Sequence, residues 1–174
     1  MAKLAFSKLG LKPNNNIIKI DYNDVVIEVK EYLPVNDKLG LIGNVINAAA
    51  DDNGYYNEGK IRIYFALEVI DAYTNLTFTE KQKEDPCKLY DLFVCNGVWQ
   101  RIWDSIGQDD KIFLEACLHE TIISIYEYKN SVMGILDTVS QDYSNMNLDA
   151  TNIQKALGDP NNMGLLREVL TKLG

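Results

Sequence analysis

The 174-residue sequence has no long hydrophobic run. No stretch approaches the roughly 20 consecutive apolar residues that a membrane-spanning helix needs. The first eight residues contain lysine but not the apolar segment of a signal peptide. We therefore expect a soluble protein that stays in the compartment where it is made.

Cysteine and histidine are too scarce for the sites that they usually form. Cys87, Cys95 and Cys117 are an odd number, and their spacing matches neither a disulfide framework nor a zinc site. We interpret all three as reduced core or near-core residues. The only histidine, His119, begins a His-Glu-Thr-Ile-Ile sequence, in which isoleucine stands where a zinc protease has its second histidine. The sequence therefore predicts no metal and no cofactor.

Basic residues are also few, and they are scattered along the chain. The sequence holds 17 lysines and arginines against 25 aspartates and glutamates, a net charge of −8. Proteins that bind nucleic acid need clustered positive charge to neutralise phosphates. Direct binding to DNA, RNA or an anionic membrane is therefore disfavoured, and a basic protein is the better electrostatic match for a partner.

Sequence patterns typical of catalysis are missing as well. The segment Gly40–Gly43 lacks the third glycine and the following lysine of a phosphate-binding loop. Asp51, Asn53 and Gly54 match only part of a calcium loop, so we interpret them as a turn. No two carboxylates show the spacing of an acid–base pair. We predict no catalytic residues and a protein that is not an enzyme.

The hydrophobic pattern predicts a mainly α-helical fold with a small N-terminal β-hairpin. Two β-type runs, 17–20 and 25–29, flank a short polar segment, and together they predict a hairpin over residues 17–30. Residues 34–174 are predicted to form about six or seven helices. We expect a single domain over residues 1–174, with residues 1–16 as a candidate arm.

Pro34 can begin the first of these helices. Apolar residues at helical spacing predict one buried stripe: Val35, Leu39, Ile42, Ile46 and Ala49. Gly40 and Gly43 are expected to allow close approach of a neighbouring element. Residues 60–76 fit a buried helix, although their first half also alternates as a strand does, and the length of the segment favours the helix.

Helix-capping signals are clearer in the C-terminal half. Thr79 and Gln82 fit a capping box, and Asp85-Pro86 fits the start of the next helix. The buried stripe of that helix is predicted at Leu89, Leu92 and Phe93. A short helix over 98–106 follows, and a long one is expected from Asp109 or Asp110 to about residue 143, with a bend or break near Asn130-Ser131. Two final helices are predicted at 150–157 and 160–172.

Aromatic residues are the best candidates for a binding site, because they are favoured anchors at protein interfaces. The predicted partner-binding residues are Tyr55, Tyr56, Trp99, Trp103, Tyr126 and Tyr128. The first pair lies in a predicted loop, but can instead fold back as a hydrophobic lid. The two tryptophans share a helix face, which also suits a core position. The last two cannot share a face, so at least one should be partly exposed.

Two runs of residues resemble small structural and assembly proteins of bacteriophages that infect Gram-positive bacteria. They are the run from Ile27 to Val35 with Lys38-Leu39, and the closing segment from Asp159-Pro160 to Leu170. The abundance of Asn, Lys, Ile and Tyr fits such a low-GC genome. The resemblance implies a virion-assembly or structural role, for example as a tail-assembly chaperone or a head–tail component. It places the protein in the cytoplasm of a bacterial host or in the virion.

Three functions stay open at this point. The assembly role predicts a homo-oligomer or a complex with phage tail or neck proteins. An acidic phage-encoded inhibitor of a host defence or nucleic-acid enzyme, such as an anti-CRISPR, predicts a contiguous acidic face and binding that weakens with salt. An enzyme of unrecognised type requires a concave pocket that holds several carboxylates or His119.

Overall fold

The computed structural model describes residues 3–51 and 55–136. This part of the chain is mainly helical and begins with a two-stranded antiparallel hairpin, so the predicted fold class is confirmed. The chain divides into two compact units, Met1–Ile123 and Ser124–Gly174. The helices predicted at 150–157 and 160–172 lie outside the described residues. Within the described ranges, no helix is long and apolar enough to cross a membrane.

The hairpin consists of β1 (Ile17–Tyr22) and β2 (Val25–Lys30). Its two-residue turn has positive φ at both Asn23 (45°) and Asp24 (64°), as a type I′ turn requires. Such a turn matches the right-handed twist of the two strands. One face of the hairpin contributes Ile20, Ile27 and Val29 to the core. The predicted hairpin is therefore confirmed.

Helix α1 (Val35–Ala49) follows Pro34, and its predicted stripe is wrong in part. Ile42 and Ala49 are buried and Ile46 packs against the core as predicted, whereas Val35 and Leu39, in the first turns, are exposed. The other buried residues of the helix are Lys38, Leu41 and Val45. The close approach predicted at Gly40 and Gly43 is wrong too, since a Cβ atom at either position would meet nothing within 4 Å.

Helix α2 (Glu58–Tyr73) confirms the helical interpretation of residues 60–76. The Asn57 side chain caps its first turn by accepting hydrogen bonds from the backbone N–H groups of Gly59 and Lys60. Helices α1, α4 and α5 all pack against α2. The helix is accordingly buried on most sides, through Ile61, Ala66, Leu67, Val69, Ile70 and Tyr73.

Two capped helices come next, α3 (Glu80–Lys83) and α4 (Pro86–Cys95). The capping box of Thr79 with Gln82 is confirmed, and the Asp85 side chain accepts a hydrogen bond from the N–H of Lys88. The predicted stripe of α4 is wrong in part, because only Leu89 is buried and Leu92 is exposed. Two cysteines also depart from the prediction: Cys87 and Cys95 are exposed, while Cys117 is half-buried.

Helices α5 (Val98–Ser105) and α6 (Gln108–Lys129) are joined at Gly107, which lies against the end of the hairpin. The N–H of Gly107 donates to the carbonyl of Glu31 at 2.9 Å, and a Cβ atom there would lie only 3.0 Å from that oxygen. Glycine therefore permits this close approach. Helix α6 ends at Lys129, where the sequence predicted a bend or break near Asn130-Ser131, and residues 132–136 are helical again. The rest of the helix predicted to residue 143 lies outside the described residues.

Candidate protein-binding site

An open groove of about 480 Å³ runs between the hairpin, the segment after α2 and helix α4. Its thirteen lining residues are Tyr22, Asn23, Val25, Ile27, Leu76, Thr77, Phe78, Gln82, Leu89, Leu92, Phe93, Asn96 and Val98. None of these side chains is charged, and nine are apolar or aromatic. We call this surface the apolar groove.

The apolar groove has a buried floor and an exposed rim. Ile27, Leu89 and Val98 are buried and form the floor. Leu92 is 53% exposed and Val25 is 58% exposed, so the rim presents large apolar side chains to solvent. Ligand sites in proteins are commonly preformed clefts lined mainly by apolar side chains with a few polar groups.

Asn75 positions one wall of the groove against the hairpin. The side-chain oxygen of Asn75 accepts a hydrogen bond from the backbone N–H of Glu28 at 3.0 Å, and the backbone N–H of Asn75 donates to the carbonyl of Glu28 at 3.2 Å. Its side-chain amide also donates to the carbonyl of Val26 at 3.4 Å. These bonds pair the outer edge of β2 with the chain that leaves α2. Leu76 and Phe78 are thereby held beside the strand.

Two further contacts hold the helical walls. The guanidinium of Arg101 on α5 donates to the carbonyl of Asp21 at 3.0 Å, near the turn of the hairpin. Phe78 meets Phe93 of α4 edge to face, with 5.9 Å between the ring centroids, which is a favourable geometry for an aromatic pair. The groove is therefore formed before any ligand binds, and this lowers the entropic cost of binding.

The lining of the apolar groove offers neutral hydrogen-bonding groups beside its apolar side chains. The polar groups are three amides, Asn23, Gln82 and Asn96, and the hydroxyls of Tyr22 and Thr77. They can donate and accept hydrogen bonds. The lining holds no carboxylate, imidazole, thiol or amine that could act as a general acid, base or activated nucleophile. Its volume lies within the range of sites that take a small or segmental ligand.

A second unusual feature, the buried polar cluster, lies where α1, α2 and α6 meet. The Lys38 ammonium contacts Asp110 Oδ1 at 2.6 Å, and both side chains are less than 5% exposed. Asp110 Oδ2 accepts two more hydrogen bonds at 2.8 Å, from the N–H of Leu33 and the hydroxyl of Tyr73. The carboxylate thus ties together three helices and the chain that follows the hairpin.

The polar groups of this cluster find their partners within the cluster itself. Burial and the hydrogen bond to Asp110 raise the pKa of Tyr73 well above its usual range, so its hydroxyl stays a donor. The Lys38 ammonium also lies over two aromatic rings, 4.4 Å from the centroid of Tyr32 and 4.9 Å from that of Phe113. Among the described residues, no buried side-chain nitrogen or oxygen lacks a hydrogen-bond partner. We therefore assign the cluster to stability.

The loop tyrosines predicted to bind a partner have different environments. Tyr55 is 61% exposed, whereas Tyr56 is half-buried and packs against the hydrophobic core. Trp99 and Trp103 are half-buried as well, and their rings stack at 5.5 Å between centroids. The edge of Trp103 also meets Phe65 at 5.7 Å. Of the predicted residues in the first unit, Tyr55 alone presents most of its side chain to solvent.

Tyr126 and Tyr128, in the second unit, are both exposed. None of the six predicted aromatic residues lines the apolar groove, and their role in binding stays a prediction. His119 is exposed on α6. Within the ranges that the structure describes, no group of three or more His, Cys, Asp or Glu residues could hold a metal ion.

The sequence predicted parts of the groove only as separate elements, the stripe of α4 at Leu89, Leu92 and Phe93 and the β-type run that holds Val25 and Ile27. Leu76 and Phe78 lie in no periodic pattern that would indicate a site. Comparison with known proteins adds no candidate function: no protein-family model, curated protein or solved structure matches the chain. The apolar groove is therefore the feature of the molecule from which a function can be proposed.

Proposed function

We propose that this protein is a non-enzymatic, protein-binding component of a larger assembly, and that it holds an apolar segment of a partner protein in the apolar groove. The supporting observation is the uncharged lining, with Val25 and Leu92 exposed at the rim. About a quarter of all residues in the chain are charged. An uncharged surface of this size is therefore distinct from its surroundings and favours an apolar ligand.

The occupant that fits best is a short segment with two or three large apolar side chains. Such a segment can bury its side chains on the floor of Ile27, Leu89 and Val98. The Asn23 amide, the Gln82 side-chain N–H₂ and the Asn96 side-chain oxygen can then bond with its backbone. The Gln82 oxygen itself accepts from Thr79, and the Asn96 N–H₂ donates to the carbonyl of Leu92. This arrangement resembles the docking of an amphipathic segment into a hydrophobic groove.

For the biological process, we propose virion assembly in a bacteriophage of a Gram-positive host. The support is the resemblance of residues 27–39 and of the C-terminal segment to such proteins. A groove that shields an apolar segment suits a tail-assembly chaperone or a head–tail component. The partner would then be a phage structural protein, bound in the cytoplasm of the host or in the virion.

Two variants of α4 test the proposal. Leu92 and Val94 are both exposed on this helix, at 53% and 44%, but only Leu92 lines the groove. Co-expression with phage tail and neck proteins, followed by affinity purification, measures partner binding. We expect Leu92→Glu to abolish the complex and Val94→Glu to keep it, with both melting temperatures near that of the wild type. Equal loss of partner binding in the two variants, or no loss in either, would contradict the proposal.

The acidic-inhibitor alternative is favoured by the net charge of −8. It requires a partner that recognises carboxylates, whereas the lining of the apolar groove has none. Salt separates the two functions, because screening weakens charge recognition much more than burial of apolar surface. A complex that persists from low to high salt supports the assembly role. Steep loss of binding to a basic host enzyme supports the inhibitor.

A further inference from the structure

We infer that the apolar groove receives the N-terminal arm of a second copy of this chain, so that the protein self-associates by exchanging arms. This inference rests on the proposed function and names the partner of the same groove. We define the arm as residues 3–12. The observations that carry it are the exposed apolar side chains of the arm, its point of attachment and its charge.

The arm carries large apolar side chains that lie exposed at the surface of the described part of the chain. A short 3₁₀ helix, Phe6–Leu9, forms its centre. Leu4, Phe6, Leu9 and Leu11 are each between 52% and 76% exposed. Four large apolar residues within eight positions are costly to leave in water. The arm therefore has the composition of a segment that docks elsewhere.

The arm is attached to the body at a defined place. The side-chain amides of Asn14 and Asn16 donate to one carboxylate oxygen of Glu31 at 3.1 Å and 2.9 Å. The N–H of Glu31 donates to the carbonyl of Asn16 at 3.0 Å. The two amide bonds also lower the pKa of Glu31. Residues 14–16 are therefore held at the base of the hairpin.

The base and the groove lie at opposite ends of the hairpin. The groove is lined by Tyr22, Asn23 and Val25 at the turn, whereas the arm leaves β1 before Ile17. Five residue steps along the strand separate these ends by roughly 17 Å. The arm thus starts away from the groove of its own chain, and none of its residues lines that groove, which favours docking into the groove of another copy.

Charge also matches the arm to the surroundings of the groove. The arm contains Lys3, Lys8 and Lys12 and no carboxylate. Segments 21–27 and 74–98, which supply the groove, contain six carboxylates and three lysines. A basic arm is therefore attracted to the acidic borders of the groove, while its apolar residues meet the uncharged lining.

Arm exchange has two possible closed forms. If two copies exchange arms reciprocally, the result is a two-fold dimer; if each arm passes to the next copy, the result is a ring. Both forms contain the same contact between arm and groove. Light scattering after size-exclusion chromatography gives the mass and identifies the form.

The first test compares the full-length chain with three variants. Phe6→Ser combined with Leu9→Ser removes apolar surface from the arm without changing its charge. Leu92→Glu blocks the groove, and Val94→Glu is the matched control on the same helix. We expect the wild type and Val94→Glu to form the same oligomer. The arm and groove variants should be monomers, with self-association weakened at least about tenfold, which corresponds to loss of one or two apolar contacts.

The second test mixes the two defective variants. The arm variant keeps an intact groove, and the groove variant keeps an intact arm. An equimolar mixture should therefore form a 1:1 heterodimer through the one contact that remains possible. If each arm instead docks in its own groove, the mixture stays monomeric, and so does the wild type. That result would overturn the inference.

Failure of this inference is distinguishable from failure of the proposed function. A monomeric wild type whose capture of phage tail or neck proteins is still abolished by Leu92→Glu would refute arm exchange and leave the proposed function in place. A groove variant with unaltered self-association and unaltered capture of these proteins would refute both.

Discussion

Two regions of the first unit reverse the usual distribution of polar and apolar groups. The buried polar cluster places a lysine and an aspartate in the interior, each less than 5% exposed. The apolar groove leaves Val25 and Leu92 more than half exposed at its rim. Charged residues are rarely buried unless they are paired, and a cleft lined mainly by apolar side chains is typical of a binding site. Both regions therefore need a physical reason.

The two regions differ in whether the chain itself supplies partners for their unusual groups. Asp110 has a partner for both oxygens, and the Lys38 ammonium has a carboxylate and two aromatic rings. Nothing further is required there, so the cluster acts within the fold. The rim of the groove gains less from folding, because Val25 and Leu92 keep more than half of their surface in water. A satisfied interior therefore indicates stability, and an uncovered apolar surface indicates binding.

The largest expected effect comes from removing the carboxylate at the centre of the cluster. Asp110→Ala leaves the Lys38 ammonium, the Leu33 N–H and the Tyr73 hydroxyl buried without an acceptor. We expect a loss of about 3–5 kcal/mol in the free energy of unfolding, measured by urea denaturation. Should the loss be as small as for a surface residue, the contrast between cluster and groove would not hold.

Asp109→Ala is the matched control. Asp109 also lies in the first turn of α6, but its side chain is exposed. It therefore shares the favourable interaction with the helix dipole without the buried hydrogen bonds. We expect a loss of only about 0.3–1 kcal/mol for this variant.

An intermediate effect is expected for Tyr73→Phe, which removes one hydrogen bond to the buried carboxylate. Its loss should be about 1.5–3 kcal/mol near neutral pH. The raised pKa of Tyr73 also predicts the direction in which stability changes with pH. Above the ordinary tyrosine pKa of 10.0 the unfolded chain loses the Tyr73 proton, while the folded chain keeps it, so the wild type loses stability as pH rises.

The stability advantage of the wild type over Tyr73→Phe should therefore be constant below about pH 9 and shrink above about pH 10. Urea titrations of both proteins at about pH 8 and about pH 10.5 measure it. Taking the difference between the two proteins cancels the titration of the other tyrosines. An advantage that grows with pH would show that Tyr73 ionises more readily in the folded state than in the unfolded chain.

The smallest expected effects on the free energy of unfolding concern the two loop tyrosines, Tyr55 and Tyr56. Tyr56 is half-buried against the core, so Tyr56→Ser should lower the free energy of unfolding by about 1–2 kcal/mol. Tyr55→Ser should stay within about 0.5 kcal/mol of the wild type, because Tyr55 is exposed. Thermal unfolding measures both, and a reversed order would place Tyr55 with the core.

Elements set by local interactions could be predicted from the sequence. The hairpin followed from two β-type runs and a short polar connection, and the capping box of Thr79 with Gln82 involves residues three positions apart. For α2, the length of the apolar segment was enough to predict a helix and not a strand. The break after Lys129 was also marked locally, by Asn130-Ser131, where the Ser131 hydroxyl bonds to the carbonyl of Tyr128 and competes with the helix.

The burial of Lys38 on α1 could not be predicted in this way. A lysine in an amphipathic pattern is assigned to the solvent side, because burying an unpaired charge is costly. The partner that makes burial of Lys38 possible is Asp110, 72 residues further along the chain. Only the tertiary structure brings these two residues together, and their pairing allows Lys38 to lie on the inward side of the helix.

The sequence by itself determined the fold class, the hairpin, the helix caps and the overall acidity, because these depend on neighbouring residues or on composition. The tertiary structure alone decided the apolar groove. Its walls meet through Asn75 with Glu28, 47 residues apart, and Arg101 with Asp21, 80 residues apart. Leu92, which has the pattern of a core residue within its own helix, stays exposed because no other described element of the first unit covers it.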